Sequence, residues 1–167
     1  MQVYRTILVT VDCTPVDDPI IKHVSALAVQ NKASVHLIHV VHSHTLDQNR
    51  VLREKIEGRM ESYRETLLNL GVEAIAIIKS GEPITEILEE IGSGKYDLVA
   101  MATHGHTFIG DVLFGSVSDS LKHKIRIPLL LIKSEINPDI KSETKSDVKS
   151  ENNSENKSEI KSETKSG

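Results

Sequence analysis

Residues 96–133 read YDLVAMATHGHTFIGDVLFGSVSDSLKHKIRIPLLLIK. The opening run, residues 96–102, is mostly apolar and of strand length. A loop with glycines at 105, 110 and 115 follows, then a helix over about Ser116–Lys124, then a Pro-led apolar run from Ile127 to Lys133. Strand, helix and strand in that order form a crossover unit whose two strands run parallel.

The same unit recurs upstream. Residues 4–11 (YRTILVTV) read as a buried strand ending at Asp12. Asp18 and Pro19 are expected to open a helix as N-cap and first-turn proline, with Ile20, Val24, Leu27 and Ala28 as its buried stripe. Ser34–Val41 is the second strand. Asp47 is expected to cap a long helix whose stripe is Leu52, Ile56, Met60, Tyr63, Leu67 and Leu70, spaced 4, 4, 3, 4 and 3 apart, before Gly71 stops it. Residues 72–78 form the third strand, and Gly81-Glu82-Pro83 turns into a helix with Ile84, Ile87, Leu88 and Ile91 on one face. Gly92 and Gly94 end that helix. The alternation implies an α/β fold, a five-stranded parallel sheet of order 3-2-1-4-5 with helices on both faces. Ligands of such sheets bind beyond the carboxyl ends of the strands, where the strand order reverses. Function is therefore sought in residues 12–14, 40–44 and 103–118.

The chain has 167 residues and a net charge of −4. That near-neutral balance offers no basic surface for nucleic acid and no polybasic membrane patch. One cysteine, Cys13, excludes an internal disulfide framework and a cysteine-based zinc or iron–sulfur site. The N-terminus enters a strand pattern at once, without a signal peptide, and no apolar run reaches the ~18–20 residues that span a bilayer. A soluble cytoplasmic protein is expected.

The composition changes at residue 134. Residues 1–133 carry the domain pattern, and residues 134–167 hold only four apolar side chains. From Lys141 the chain repeats KSET, KSDV, KSEN, NSEN, KSEI, KSET. A helix would set its like charges at i,i+4 and give it no opposite pairs. This tail reads as a disordered, solvated extension with no site.

Several phosphate chemistries are excluded by motif. No GxxxxGK[ST] occurs, and no GxGxxG follows the first strand. Asp12-Cys13-Thr14-Pro15 stands there instead, and an acidic side chain would repel a pyrophosphate. A phospho-receiver needs a second acid at the end of the third strand, where Ile78-Lys79-Ser80 has none. The exit of the fourth strand differs: Ala102-Thr103-His104-Gly105, nine residues, then Gly115-Ser116-Val117-Ser118. Glycines admit an anion to backbone N–H groups, and a helix start with two hydroxyls adds donors and a favourable dipole.

The stretch from Met101 to Lys133 resembles the C-terminal signature of the universal stress protein family, G-x2-G-x9-G-[ST] followed by a helix and a Pro-led apolar strand. The resemblance extends to Asp12 after the first strand, to Leu37-Ile38-His39-Val40-Val41, to Gly81-Glu82-Pro83 and to Tyr96-Asp97-Leu98-Val99, covering about residues 3–133. It implies an adenine nucleotide alpha hydrolase-like fold that binds ATP, AMP or ADP, with or without Mg²⁺ or Mn²⁺. By position, Val11 and Asp12 would lie near adenine and ribose, and Val40 would offer its backbone to the adenine edge. Met101, Ala102 and Gly105 would line ribose and phosphates, and Gly115, Ser116, Val117 and Ser118 would hold the phosphates. The family generally dimerises through its last strand. An apolar edge from Ile127 to Lys133 argues for the same homodimer, because pairing with its own copy covers both edges.

Two departures predict weaker binding than in typical members. Ala102 stands in place of the first signature glycine, and His106 follows Gly105 where Arg or Lys is common. Binding is expected to tighten as His106 protonates toward pH ~6. Cys13, without a paired base, reads as a packing residue. Of the eight histidines, His36 and His39 fall on opposite strand faces and cannot share an ion. His42, His44, His104 and His106 could gather near the strand ends, but the resemblance implies histidine at His39 and His104 in any case, so no metal site is assigned. No acid–base pair or nucleophile is arranged for catalysis. The expected function is a nucleotide-binding stress-response module. The alternatives are a slow ATPase or nucleotidyl-transfer enzyme, and a dimeric interaction protein that no longer binds nucleotide.

Overall fold

The computed structural model describes residues 2–41, 46–103 and 116–133. Its elements run β1 (Thr6–Thr10), α1 (Asp18–Asn31), β2 (Ser34–Val41), α2 (Leu46–Asn69), β3 (Ala74–Ser80), α3 (Pro83–Gly92), β4 (Leu98–Thr103), α4 (Ser116–Lys124) and β5 (Leu129–Lys133). The strands form one sheet of order β3-β2-β1-β4-β5, every neighbour parallel. The expected fold and strand order are both present.

Alternate side chains along a strand point to opposite faces, and the core divides accordingly. Ile7, Val9 and Val11 pack with Ile20, Val24 and Ala28 of α1 and with Ile56, Met60, Tyr63 and Leu67 of α2. On the other face Leu8, Ile38, Val99 and Met101 pack with Ile87 of α3 and Leu121 of α4. Each fully buried aliphatic side chain contributes about 1.5–3 kcal/mol.

The amino ends of the strands are tied together by side chains. Asp97 Oδ2 accepts from the backbone N–H groups of Arg5 at 2.8 Å and Thr6 at 3.1 Å. Asn31 Oδ1 accepts from those of Val3 and Tyr4 at 3.1 and 3.3 Å.

The structure corrects several local expectations. Asp18 lies inside α1, and the residue before the helix is Asp17, at the end of a short 3₁₀ turn over Pro15–Asp17. Asp47 lies inside α2, which starts at Leu46, so it is not a cap. The middle of the α2 stripe is buried, but Leu52 is 40% and Leu70 54% exposed. A helix of 24 residues spans about 36 Å, whereas the eight residues of β2 span about 27 Å. Its ends overhang the sheet, and Leu70 follows the last helical residue. β3, β4 and β5 each start two residues later than the sequence pattern suggests. α4 has the expected bounds. The chain divides into two units, Met1–Ser134 and Glu135–Gly167, and the second, with the repeat tail, lies outside the described residues.

Candidate functional site

β1 is flanked by β2 and β4, and the chain leaves these neighbours toward opposite faces. Thr10 pairs with Ile38 on one side and Met101 on the other. Beyond this point lies a crevice of about 280 Å³, near the lower end of small-molecule sites at ~300–1,000 Å³. Ile38, Val40 and Met101 from the strands, with Ile87 of α3 and Val117 of α4, give it apolar walls. These five side chains belong to or pack against one core layer, so they form a slot between the sheet and the α3/α4 layer. Such a slot suits a flat aromatic ring. Asp12, His39 and Ser118 supply polar groups around it. Ser118 is 2% exposed and sits in the first turn of α4, where the helix N-terminus favours an anion.

The turn after β1 is built around a buried carboxylate. Cys13 has φ +60°, a left-handed backbone that lets the chain double back. Asp17, 1% exposed, closes the turn. Its Oδ1 accepts from the Asp12 N–H at 3.1 Å, and its Oδ2 accepts from the Thr14 N–H at 3.1 Å. Its own N–H donates to the Thr14 carbonyl at 3.0 Å. Tyr63 of α2 clamps the same turn: its hydroxyl lies 3.0 Å from the Thr14 carbonyl and 3.3 Å from Asp17 Oδ2. Arg59 Nε donates to that hydroxyl at 3.0 Å.

Burial raises the Asp17 carboxyl above the ordinary aspartate value. Burial, then the Asp17 and Asp12 carboxylates, push the Cys13 thiol up to about 12. A thiol so placed stays protonated and is no nucleophile at neutral pH. It packs against the core instead, as its sequence context suggests.

The two strand histidines have separate partners. His39 Nδ1 donates to the Val11 carbonyl at 2.7 Å. His36 Nδ1 lies 3.0 Å from the Tyr96 hydroxyl, which donates to Glu90 Oε1 at 2.6 Å. Lys79 pairs with Glu90 at 3.5 Å and with Glu86 at 3.6 Å. Among the described residues no group of three His, Cys, Asp or Glu side chains could hold a metal ion. His42, His44, His104 and His106 lie outside those residues.

Of the residues singled out in the sequence, Val11, Asp12, Val40, Met101, Ala102, Val117 and Ser118 converge on the crevice. Ser116 is the first residue of α4. Gly105, His106 and Gly115 lie outside the described residues. Ala102 packs in the α1/α2 core layer, the face opposite the slot, so its methyl does not fill the slot. It also lacks the positive φ that would demand glycine.

Thr10, Ile38, His39, Pro83 and Ile87 also line the crevice and were missed. Strand alternation would have paired Ile38 with Val40 on one face. Asp17 was missed as well, although Thr14-Pro15-Val16-Asp17 carries capping-box spacing with a proline at the first position. A larger groove of about 720 Å³ runs between α1 and α2, lined by residues of those two helices.

A parallel sheet with a ligand crevice at its switch point, an apolar slot and a helix N-terminus defines a small-molecule-binding α/β protein. The universal stress protein family model matches residues 3–133, and the chain belongs to that family. It is 24% identical over 154 residues to universal stress protein MJ0577 of Methanocaldococcus jannaschii, covering 78% of this chain and 95% of that one. To universal stress protein YxiE of Bacillus subtilis it is 29% identical over 115 residues, covering 68% and 77%. The solved MJ0577 structure superposes with a TM-score of 0.71 at 26% identity, covering 81% of this chain and 99% of that one. A universal stress protein in complex with cAMP matches at 0.66 and 16% identity, covering 80% and 99%. One from Archaeoglobus fulgidus in complex with dAMP matches at 0.62 and 17%, covering 78% and 99%. Among the described residues no helix is long and apolar enough to cross a membrane.

Proposed function

We propose that this protein is an adenine-nucleotide-binding regulatory module of stress adaptation, with ATP among its ligands. The observation that carries this reading is the slot formed by Ile38, Val40, Ile87, Met101 and Val117, with Asp12 and Ser118 among its polar groups. An adenine ring fits the apolar walls, a ribose meets the Asp12 carboxylate, and phosphates turn toward the start of α4. Adenine nucleotides occupy two relatives of the same fold, as cAMP and dAMP. Any Mg²⁺ or Mn²⁺ would enter with the phosphates. The protein acts in the cytoplasm as a homodimer paired through β5, whose Leu129, Leu130, Leu131 and Ile132 are half-buried in the single chain.

Thermal melting with and without ATP–Mg²⁺ tests the reading, with Gly115→Val as the control. Ligand at about 100 times its dissociation constant adds ~2.7 kcal/mol, seen as a raised Tm that the control loses. No shift at millimolar ATP, in protein free of copurified nucleotide, would reduce the protein to an interaction module.

A further inference from the structure

We propose that Asp17 sets the ligand preference of the crevice, by holding the turn after β1 so that it presents the Asp12 carboxylate while its own amides are withheld. This rests on the nucleotide-binding reading above.

The geometry is specific. A turn between a strand and a helix at a switch point ordinarily offers backbone N–H groups to a phosphate. Here the N–H groups of Asp12 and Thr14 are both taken by the two oxygens of Asp17. That carboxylate is buried, and a buried carboxylate is held only by donors. Tyr63 adds a third contact and clamps the Thr14 carbonyl from the other side. The turn therefore carries two carboxylates and two occupied amides at the edge of the slot. The Asp12 and Thr14 amides are closed to a phosphate there, and the two carboxylates repel it. A sugar hydroxyl finds an acceptor in Asp12, which lines the crevice. Asp17 is thus a positioning residue: it touches no ligand and acts through the backbone of Asp12.

The test compares ATP with 2′,3′-dideoxy-ATP by calorimetry on the full chain. A hydroxyl bonded to a carboxylate corresponds to about tenfold in affinity, so the wild type prefers ATP by about tenfold. Asp12→Ala abolishes the preference. In Asp17→Asn one amide meets an NH₂ group instead of an oxygen, and the preference falls to about threefold or less. Tyr63→Phe keeps the carboxylate and removes the clamp, and lowers the preference by a smaller factor. A turn that served stability alone would lower Tm in these variants and leave the ratio of the two affinities unchanged.

Equal binding of the two nucleotides by the wild type overturns the proposal and leaves nucleotide binding standing. So does a tenfold preference retained in Asp17→Asn or, should that variant fail to fold, in Tyr63→Phe. Amide hydrogen exchange provides a readout free of ligand. The Asp12 and Thr14 amides are protected in the wild type and exchange faster in Asp17→Asn; unprotected wild-type amides overturn the turn geometry itself. Protected amides in a protein that binds neither nucleotide would overturn the nucleotide reading, and with it the preference built on it.

Discussion

His39 Nδ1 donates to the carbonyl oxygen of Val11 at 2.7 Å. Because a carbonyl only accepts, the contact fixes a proton on Nδ1. Val11 also donates its N–H to the Ile38 carbonyl at 3.0 Å. Both polar groups of the Val11 backbone are therefore held by β2, one residue past the end of β1. Asp12 and its turn start from a fixed point.

Replacing His39 by Phe should keep the packing and lose that anchor. We expect about 1 kcal/mol lower stability by denaturant titration, together with several-fold weaker ATP binding. Unchanged affinity would show that the start of the turn is fixed without His39.

Gly81 offers a second test. Its φ is +150°, and a Cβ there would lie 2.9 Å from Glu86 Oε1, whose carboxylate pairs with Lys79. Gly81→Ala should cost about 1–2 kcal/mol through backbone strain and displacement of Glu86. Pro83 and Ile87, just beyond, line the crevice, so the same variant should weaken nucleotide binding.

The chain of contacts His36–Tyr96–Glu90–Lys79 makes stability depend on pH. Glu90 is held below its ordinary value, first by the Tyr96 hydroxyl and then by Lys79. A depressed carboxyl stabilises the fold above its unfolded value of 4.5 and loses that contribution as pH falls through the folded value. Tyr96→Phe should thus cost about 1.5–3 kcal/mol at pH 7, with a difference from wild type that shrinks well below pH 4.5. His36 is also lowered, first by burial and then by Lys95. The unfolded imidazole takes up its proton first, so stability falls as pH drops below about 6.5. Urea titrations at several pH values check both signs.

His106 follows Gly105 at a position where a fixed cation is common in the family. His106→Arg should strengthen ATP binding at pH 7.5 and flatten its dependence on pH toward 6. Equal affinities at pH 7.5 would remove this residue from the site.

The architecture was legible because buried parallel strands are written as short apolar runs, and α1 to α4 as apolar stripes between them. What failed was local. Asp17 and Asp18 are adjacent acids at the start of a helix, and propensity does not say which one turns inward. The decision comes from Tyr63, 46 residues away in sequence. Leu52 and Leu70 keep helical spacing, but their burial depends on how far the sheet extends beneath α2. In the crevice, Ser118 was legible as a hydroxyl at a helix start, and Val11, Asp12, Val40, Met101 and Ala102 only through the family resemblance. The walls from Ile87 and Ile38 were not, since they differ from other core aliphatics only in lying at the strands' carboxyl ends.

The two ends of the sheet are built unlike. At one, Asp97 and Asn31 lock the incoming strands with side-chain bonds to backbone N–H groups. At the other, among the described residues, such bonds stay local to the turns that follow β1 and β3. The molecule thus has a foundation and a workbench. Substitutions at Asp97 or Asn31 should be felt by the whole fold, while Val40, Met101 or Val117 can be retooled for another ligand with the foundation untouched. A lineage carrying this fold could change what it senses without relearning how to fold.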